Sequence, residues 1–477
     1  MKKNMLWIAI AALIFPLLAR GLWFYRGIPN RPEIGTPDYQ ALTISQPPLE
    51  TPSADEVIDQ INGIVLLDFA HANQYQPPET RSLQEAIEKR GGKIETLTDS
   101  TLLEYKLKYA SAYIVISPSY MFSADETRIV KAFVDRGGRL LTFTDATRGA
   151  MYYDISGNIL NFPDTSLINP LLSAFGITLN NDYLYNVEEH EGNFRNVFFD
   201  DFGKNELTFG LKRVALYGTH SVKTSSGLIL LRGAESTLSS IDDAHDPDEG
   251  GAALSADGNV LAFGDFTFLT SPYQNVADNA TLIANIADFT LGGKQIITLA
   301  NFPFTFTQPV LQVYRTSEVR MTAEMTAALS GLQESLRYVG ISIEITDEQP
   351  DGDALILGLY TPSDDLLDYV KPFDIELDDS EFINVPGFGE VGRYGNALLL
   401  FNANKKGNTI TLLADTPEDL IVLLNTLASN SLSGCIQQGD IAVCSVGYGG
   451  SYSDGSETET EATTEPATEE VTPTPGG

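Results

Sequence analysis

Four short apolar runs, each ending at or beside a polar residue, constrain most strongly what this chain can fold into. Runs without alternation of polar and apolar residues are typical of strands that are buried on both faces. Segments with helical periodicity lie between them, and this order of strands and helices predicts an α/β fold with a doubly wound, mostly parallel sheet. The four predicted strands are residues 63–68 (GIVLLD), 113–117 (YIVIS), 140–144 (LLTFT) and 260–265 (VLAFGD).

Helix start and stop signals support this order. Ser123 and Glu126 form a capping-box pattern, and the helix that follows ends at the glycines of residues 137–138. An amphipathic helix over residues 278–291 ends the region. We therefore assign residues 59–294 to a first folded α/β domain.

A second, smaller α/β domain is predicted for residues 295–450. Residues 325–339 place apolar side chains on one stripe of a helix, and residues 397–401 and 409–413 predict a strand pair. A further helix begins near Pro417, at its preferred first helical position. The region contains no histidine and no phosphate-loop pattern, so we interpret it as a binding or packing module.

The N-terminus, residues 1–27, is predicted to be a transmembrane anchor. An uncharged run over residues 5–19 follows Lys2 and Lys3, and Arg20 is long enough for its charge to reach the interface. A cleavable signal peptide is the alternative, but the residues after the run match a cleavage site poorly.

Two segments have compositions that do not support a core. Residues 28–58 are a Pro-rich linker, which proline keeps extended. Residues 451–477 are a Ser/Thr/Glu/Pro tail that is acidic and contains no basic residue. Such a tail buries too little apolar surface to offset its ordering entropy, so we predict that it is disordered.

The charge balance restricts the partners. Acidic residues outnumber basic ones 64 to 30, for a formal net charge of −34. A surface of this sign repels phosphate, which argues against nucleic acid as a partner. Solubility is the simpler interpretation of the charge, and cation binding is the functional one.

Cys435 and Cys444 are the two cysteines. They are interpreted as a local disulfide, with two separate thiols as the alternative. Lys2 and Lys3 favour a cytoplasmic N-terminus, although the arginines after the apolar run favour the reverse. Together with the tail, the cysteine pair favours an extracytoplasmic location for the bulk of the chain, anchored to the cell membrane by a single span.

The first domain resembles an uncharacterised bacterial membrane-anchored family. Its sheet is glutamine-amidotransferase-like and related to the gliding-motility auxiliary component of ABC transporters. The resemblance covers about residues 60–292 and implies a membrane-tethered domain that has lost amidotransferase chemistry. It rests on the stretches VLLDFAHAN, YIVISPSYMFSADE, AFVDRGGRLLTFTD, GDFTFLT and DNATLIANIADF.

The ends of the predicted strands supply the candidate ligand-binding residues. In open parallel sheets, ligands bind beyond the carboxyl ends of the strands, and Asp68, Asp145 and Asp265 lie at such ends. These carboxylates can perform acid–base chemistry with His71, or they can simply cap helices and fix loops. The loops just after the strands add His71, Asn73, Ser119, Tyr120, Thr147 and Arg148.

Complete catalytic motifs are absent from the sequence. Neither cysteine lies in the first domain, where an amidotransferase nucleophile would be required. The chain also lacks a Gly-x-Ser-x-Gly elbow and a phosphate loop. We predict no catalytic residues.

One acidic loop is a candidate calcium site. Its carboxylates alternate in a loop with Gly and Pro, although the spacing is not that of an EF-hand. A solvated acidic loop is the alternative, and no other cofactor is predicted. The carboxylates are those of Asp242, Asp243, Asp246 and Asp248.

These features favour a non-catalytic, membrane-tethered binding or scaffold component of a cell-envelope assembly, of which a transporter-associated assembly is one form. An alternative is an extracytoplasmic sensor or carrier for a sugar or small polar ligand, bound at the strand ends of the first domain. A more remote alternative is a hydrolase that uses Asp68, His71 and Asp145.

Overall fold

The structure is a computed structural model that describes residues 2–24, 61–153, 156, 159–429, 432 and 434–447. The predicted linker and the predicted tail lie outside the described residues. The chain separates into two compact units, Met1–Val57 and Ile58–Gly477, which are described separately. The boundary at residue 294 between two α/β domains stays a prediction.

An apolar helix, α1 (Lys2–Phe24), is the described part of the first unit. Its 23 residues give a length of about 34 Å at 1.5 Å per residue, compared with about 30 Å for the hydrocarbon core of a bilayer. Asn4–Phe24 has a mean hydropathy of 2.1. The helix is long and apolar enough to cross a membrane, and an N-terminal signal sequence meets the same criteria.

The second unit begins with a large sheet, its covering helices and several small strand pairs. The helices are α2 (Arg81–Lys89), α3 (Leu103–Leu107), α4 (Ala124–Asp135), α5 (Asp164–Leu172) and α6 (Asn279–Leu291). The strands are β1 (Gly63–Asp68), β2 (Gly92–Leu97), β3 (Ala112–Ile116), β4 (Arg139–Phe143), β5 (Gly149–Tyr153), β6 (Ile159–Pro163), β7 (Ile177–Leu179), β8 (Leu184–Asn186), β9 (Asn196–Phe199), β10 (Asp201–Phe202), β11 (Val214–Tyr217), β12 (Val222–Thr224), β13 (Leu228–Arg232), β14 (Thr237–Ser239), β15 (Glu249–Leu254) and β16 (Val260–Phe263).

Five parallel strands form the centre of this sheet, in the order β2–β1–β3–β4–β16. Strands β15, β13 and β10 extend it antiparallel beyond β16. Side chains alternate between its faces. Val65 and Leu67 join the core beneath α2 and α6, whereas Leu66 joins the core beneath α3 and α4. The expected mixed α/β fold with parallel strands is therefore confirmed.

The predicted strands at residues 63–68, 113–117, 140–144 and 260–265 correspond to β1, β3, β4 and β16. The edge strand β2 was not predicted. Lys93 and Glu95 interrupt its apolar pattern, because an edge strand faces solvent and needs no continuous apolar run.

A second sheet follows, covered by α7 (Ala323–Arg337), α8 (Asp364–Val370) and α9 (Pro417–Ala428). Its strands run in the order β18–β17–β19–β23–β22–β25–β24, of which the first four are mutually parallel. Helices α7 and α9 pack together on one face, and α8 covers the other. The strands are β17 (Val310–Arg315), β18 (Ser342–Thr346), β19 (Ala354–Leu359), β22 (Asn396–Ala403), β23 (Asn408–Ala414), β24 (Cys435–Gln438) and β25 (Ile441–Ser445), with β20 (Phe382–Val385) and β21 (Gly389–Gly392) as a separate pair.

Cys435 and Cys444 lie directly opposite each other in the antiparallel pair β24–β25, at the edge of the second sheet. The structure joins them in a disulfide, with a Cα–Cα distance of 4.0 Å. The bond staples an edge strand to its neighbour.

The connector between the sheets, residues 294–309, is hydrogen-bonded at both ends. On the side of the first sheet, the Asn301 side chain donates to the Lys108 carbonyl at 2.8 Å, and Lys108 Nζ donates to the Phe302 carbonyl at 3.0 Å. On the other side, the fully buried Asp353 accepts hydrogen bonds from the backbone N–H groups of Thr307 and Gln308. The connector is thus fixed by both sheets.

Candidate functional site

The carboxyl ends of the parallel strands gather the predicted acidic residues at one edge of the first sheet. Asp68 ends β1, while Asp145 and Asp265 each lie two residues beyond β4 and β16. Asp68 and Asp265 are 0% exposed, Asp145 is 2% exposed and His71 is 3% exposed. Buried charged groups need partners, so the role of each of these side chains follows from the groups that it contacts.

His71 is held between two carboxylates. Its Nδ1 lies 2.9 Å from Asp68 Oδ2, and its Nε2 lies 3.5 Å from Glu126 Oε1. The ring stacks on Phe122 at 3.8 Å between centroids. Glu126 belongs to the first turn of α4, where it completes a capping box with Ser123. We call Asp68, His71 and Glu126 the histidine clamp, because it links the end of β1 to the start of α4.

The clamp carboxylates determine the charge of His71. Burial alone lowers its pKa, but the hydrogen bond to Asp68 and the negative charges of Asp68 and Glu126 outweigh burial, so the pKa is raised. Tyr113 on β3 faces the same cluster, and burial together with the Asp68 charge raises its pKa well above the ordinary value. The arrangement therefore favours a protonated, immobilised imidazole.

The raised pKa of His71 predicts a pH-dependent contribution to stability. Because the folded-state pKa exceeds that of the unfolded chain, the contribution is complete below about pH 6.5 and is lost as pH rises through the folded-state pKa. A tenfold difference in proton affinity between the folded and unfolded chain corresponds to about 1.4 kcal/mol. We expect the difference in unfolding free energy between the wild type and His71→Gln, measured by denaturant titration, to be largest at pH 6 and to shrink towards pH 9.

The same comparison in an Asp68→Asn background provides the control. The principal partner of the imidazole is then absent, so the pH dependence of the difference should be smaller. A difference that grows with pH would contradict the assignment of the clamp.

A second buried network centres on Asp164, the first residue of α5. Its Oδ2 accepts hydrogen bonds from Ser117 Oγ and from the Asp145 backbone N–H at 2.9 Å. Its Oδ1 lies 3.1 Å from His220 Nε2. Burial lowers the pKa of His220, but Asp164 and the charge of Asp182 outweigh this effect and raise it. We call Ser117, Asp164 and His220 the Asp164 network.

Ser117 follows β3 directly and has a φ of +43°, an uncommon backbone conformation for a residue with a side chain. It is fully buried, and its hydroxyl contacts a carboxylate and not an imidazole. This geometry is structural, because a nucleophile has to reach a substrate. The sequence offered one signal for Ser117, which is its position between a predicted strand and Pro118. No local sequence pattern indicated that Asp164 would be its partner.

Asp145 and Asp265 fix the loops that follow β4 and β16. Asp145 Oδ1 accepts from the Thr147 backbone at 2.7 Å, and Oδ2 accepts from Thr267 Oγ1 at 2.8 Å. Asp265 accepts from the backbone N–H groups of Thr267 at 2.7 Å and Tyr217 at 2.9 Å. Burial, followed by the Asp145 charge, raises the pKa of Asp265 well above its usual range. The described hydrogen bonds of Asp145 do not include His71.

Three other predicted residues lie in the loops beside the clamp. The backbone N–H groups of Ser119 and Tyr120 donate to the His71 carbonyl at 2.9 and 3.1 Å, and the Tyr120 side chain is 55% exposed. Arg148 donates to Glu79 Oε1 at 2.7 Å. The loops are thus joined to one another through main-chain and ionic contacts.

Asn73 is different. Its side chain is 6% exposed, and neither of its amide atoms has a hydrogen-bond partner among the described residues. Asp68 Oδ1 also lacks one within the described part of the chain. Buried polar atoms without partners are rare and indicate a site for water or a ligand.

Three of the four carboxylates of the predicted calcium loop contact protein groups. Asp243 accepts from the Tyr185 hydroxyl at 2.7 Å, Asp246 lies 3.0 Å from Lys223 Nζ, and Asp242 accepts from a backbone N–H at 3.2 Å. The backbone of Asp248 donates to Asp246. Within the described residues, no group of three acidic, histidine or cysteine side chains is arranged to hold a metal. The calcium site gains no support here and stays a prediction.

This chain is only distantly similar to the solved structures that it matches. The N-terminal domain of mmIFT52 is 17% identical with a TM-score of 0.39, and the match covers 48% of this chain and 97% of that one. A thua-like protein from Bacteroides uniformis is 12% identical with a TM-score of 0.30, over 50% and 94%. PurLQS from Thermotoga maritima is 10% identical with a TM-score of 0.22, over 48% and 98%. No function is transferred from likenesses at these scores.

No curated protein matches the chain. A family model does match residues 73–287, a range that contains most of the first sheet and both buried networks except Asp68 and His71. The family is described as a domain of unknown function (DUF4350). The first sheet is therefore similar to a family to which no activity is attached.

Proposed function

We propose that this chain is a non-catalytic, membrane-tethered, extracytoplasmic binding component of a cell-envelope assembly. The observation that carries this proposal is the burial of the chemistry-bearing side chains at the strand ends. Asp68, His71 and Asp145 are at most 3% exposed, and their hydrogen bonds fix loops of the protein. An acid–base catalyst has to come within hydrogen-bond reach of its substrate, whereas Asp68 and His71 bond each other and Asp145 bonds Thr147 and Thr267.

The architecture supports the finer part of the proposal. The parallel strand order β2–β1–β3–β4–β16, with helices packed on both faces, is what a doubly wound, flavodoxin-like sheet requires. We infer an amidotransferase-like domain of this type that has lost its nucleophile, since both cysteines belong to the second sheet. The helix α1 supplies a tether, and a disulfide persists in an oxidising, extracytoplasmic compartment.

Topology is tested with a membrane-impermeant thiol label on intact cells, using the two native cysteines. Labelling only after reduction is the expected result, because the bridged thiols of Cys435 and Cys444 cannot react until the bond is broken. Labelling that requires lysis but no reductant would place the body in the cytoplasm and remove the basis for the proposal.

Partner binding is tested by affinity purification from detergent-solubilised membranes. A stable membrane partner should co-purify with the wild type and with an Asp145→Asn variant, because binding does not depend on catalysis. Failure to recover any stoichiometric membrane partner would count against an assembly role.

The unpartnered amide of Asn73 favours a second candidate function, a sensor or carrier for a sugar or small polar ligand. Phe69 and Tyr120, which are 49% and 55% exposed, lie in the adjoining loops and offer aromatic faces. A thermal-shift screen of neutral glycans should show stabilisation that Asn73→Ala abolishes. If no glycan stabilises the wild type, this candidate function is refuted, and the Asn73 amide is then a structural group that water satisfies.

A further inference from the structure

The second sheet ends on one side at β18, which pairs only with β17 among the described strands. The strand at the opposite edge, β24, is joined to its neighbour by the disulfide. β18 lacks a comparable protection, because its sequence SIEIT contains no proline and no basic residue, which commonly keep an edge strand from pairing further. The Ile345 side chain is 50% exposed. This edge of the sheet therefore presents a strand that can be extended.

The backbone of β18 has hydrogen-bonding groups on its open side. Alternate residues of a strand direct these groups to opposite sides. The Ser342 N–H donates to the carbonyl of Pro309, just before β17, at 2.9 Å. The carbonyl of Ile341 and the backbone groups of Ile343 and Ile345 therefore face the open edge, where an added strand would bond to them.

A side-chain amide occupies part of this edge. Gln333 on α7 accepts a hydrogen bond from the Ile343 N–H at 2.6 Å and donates one to the Ile341 carbonyl at 3.3 Å. A peptide group carries the same kind of donor and acceptor. Gln333 thus stands in for part of an added strand, and it can move aside without breaking the ladder between β17 and β18.

A cavity of about 330 Å³ lies beside the N-terminal end of this edge. Ile341 lines it, together with the apolar side chains of Phe304, Phe306 and Val339. Because the Ile341 carbonyl belongs to the open edge, a chain that is bonded there would pass the cavity. Pockets beside an edge strand give strand addition its side-chain specificity. A lining of this composition suits an apolar side chain.

Glu344, in the middle of β18, indicates the charge of the occupant. It is exposed and takes part in none of the ion pairs of the described residues. Opposite charges on neighbouring strands attract, whereas like charges directly opposite each other are destabilising. Antiparallel pairing of two copies of β18 over all 5 residues would place Glu344 opposite Glu344. This argues against a second copy and favours a different segment with a basic residue at that position.

We propose that the open edge of β18 docks an extended segment of a partner protein by strand addition. Gln333 moves aside, a basic side chain lies opposite Glu344, and an apolar side chain enters the cavity beside Ile341. Main-chain hydrogen bonds supply the affinity in this mode of binding, and the two side chains supply the specificity. The inference rests on the proposed binding function and specifies how the partner is held.

The test uses the full chain in nanodiscs of zwitterionic lipid and a fluorescein-labelled probe of sequence Phe-Thr-Val-Lys-Val-Thr-Phe, which is the same in both strand directions. Fluorescence anisotropy gives the dissociation constant. Ile345→Pro removes one N–H from the open edge and leaves the ladder with β17 intact, because an edge strand accepts proline where its nitrogen faces outward. We expect this variant to bind the probe about tenfold more weakly. Ile345→Ala, which keeps the N–H, should lose less than about threefold.

Gln333→Ala should bind the probe about threefold more tightly than the wild type, because the probe then has no internal amide to displace. Weaker binding by this variant would mean that Gln333 is part of the binding surface, and it would overturn its assignment as a stand-in for the partner.

A charge exchange tests the position of Glu344. Glu344→Lys should weaken binding about fivefold, and a probe with glutamate in place of its lysine should restore it. Glu390→Lys makes the same change in net charge at an exposed position of β21 and should alter the dissociation constant less than about twofold. Equal weakening by both substitutions would show attraction by net charge alone and overturn the proposal. Absence of probe binding to the wild type, or unchanged binding by Ile345→Pro, would also overturn it.

Co-purification from membranes separates this site from the proposed function. A membrane partner that is recovered with the wild type should be retained by Ile345→Ala and lost by Ile345→Pro. If Ile345→Pro still recovers the partner, the binding function stands and the strand-docking site is refuted. Circular dichroism of each variant shows whether the fold is retained, and Glu344→Lys tests the edge without altering the backbone if the proline variant does not fold.

Discussion

Replacing Asp164 by asparagine is expected to lower the free energy of unfolding by about 3–5 kcal/mol. Asp164 is 0% exposed and receives hydrogen bonds from the Ser117 hydroxyl and the Asp145 backbone, while its other oxygen faces His220. An amide in its place turns one acceptor into a donor and leaves the buried imidazole without its carboxylate. Guanidinium-induced unfolding of the detergent-solubilised chain, followed by circular dichroism, measures the loss.

Asp125→Asn is the matched control for this substitution. The Asp125 side chain is 88% exposed and is 3.7 Å from Arg128, so we expect a change within about 0.5 kcal/mol. If both variants were equally stable, Asp164 would be hydrated in solution and the Asp164 network would not hold the loops together.

Asp353→Ala is expected to cost about 3 kcal/mol, because it removes one acceptor that serves three backbone donors. The carboxylate binds the N–H groups of Thr307, Gln308 and Asn408, the last at 2.7 Å, and the residue is fully buried. Besides the loss in unfolding free energy, we expect faster proteolysis within the connector, since its hold on the second sheet is weakened. Limited proteolysis with mass spectrometry locates the new cleavage.

Asp351→Ala, two residues away, separates this effect from a general loss of charge. The Asp351 side chain is 83% exposed and its nearest described cation, Lys406, is 3.6 Å away. It should leave both stability and the cleavage pattern unchanged. Cleavage at the same rate in the two variants would mean that the connector is held by its other contacts, such as that of Asn301 with Lys108.

The strands buried on both faces were predictable from sequence. A parallel strand that lies between two layers of helices is apolar on both faces, so it appears in the sequence as a continuous apolar run. β1, β3, β4 and β16 are of this kind. The edge strands were harder. No residue of β18 is buried. Its alternation of Ile and Glu indicates a strand with one face in solvent, but it does not indicate where in the sheet the strand lies.

The sequence predicted where the site residues lie in the sheet, but it did not predict which residues they contact. The rule that ligands and polar residues gather at the carboxyl ends of strands located Asp68, His71 and Asp145. It did not show that His71 contacts Glu126, which lies 55 positions further along the sequence, or that Ser117 contacts Asp164. Such contacts depend on how the loops and helices pack against the sheet. Local sequence patterns carry no information about this packing.

The place of β1 has a mechanical consequence. It is the first strand of the second unit, yet it lies inside the sheet, parallel to β2 over six residue pairs and also parallel to β3. Tension applied along this strand from its N-terminal end would have to shear both ladders at once. An edge strand pulled in the same direction would have only one ladder to break, so the interior position of β1 makes this strand harder to extract.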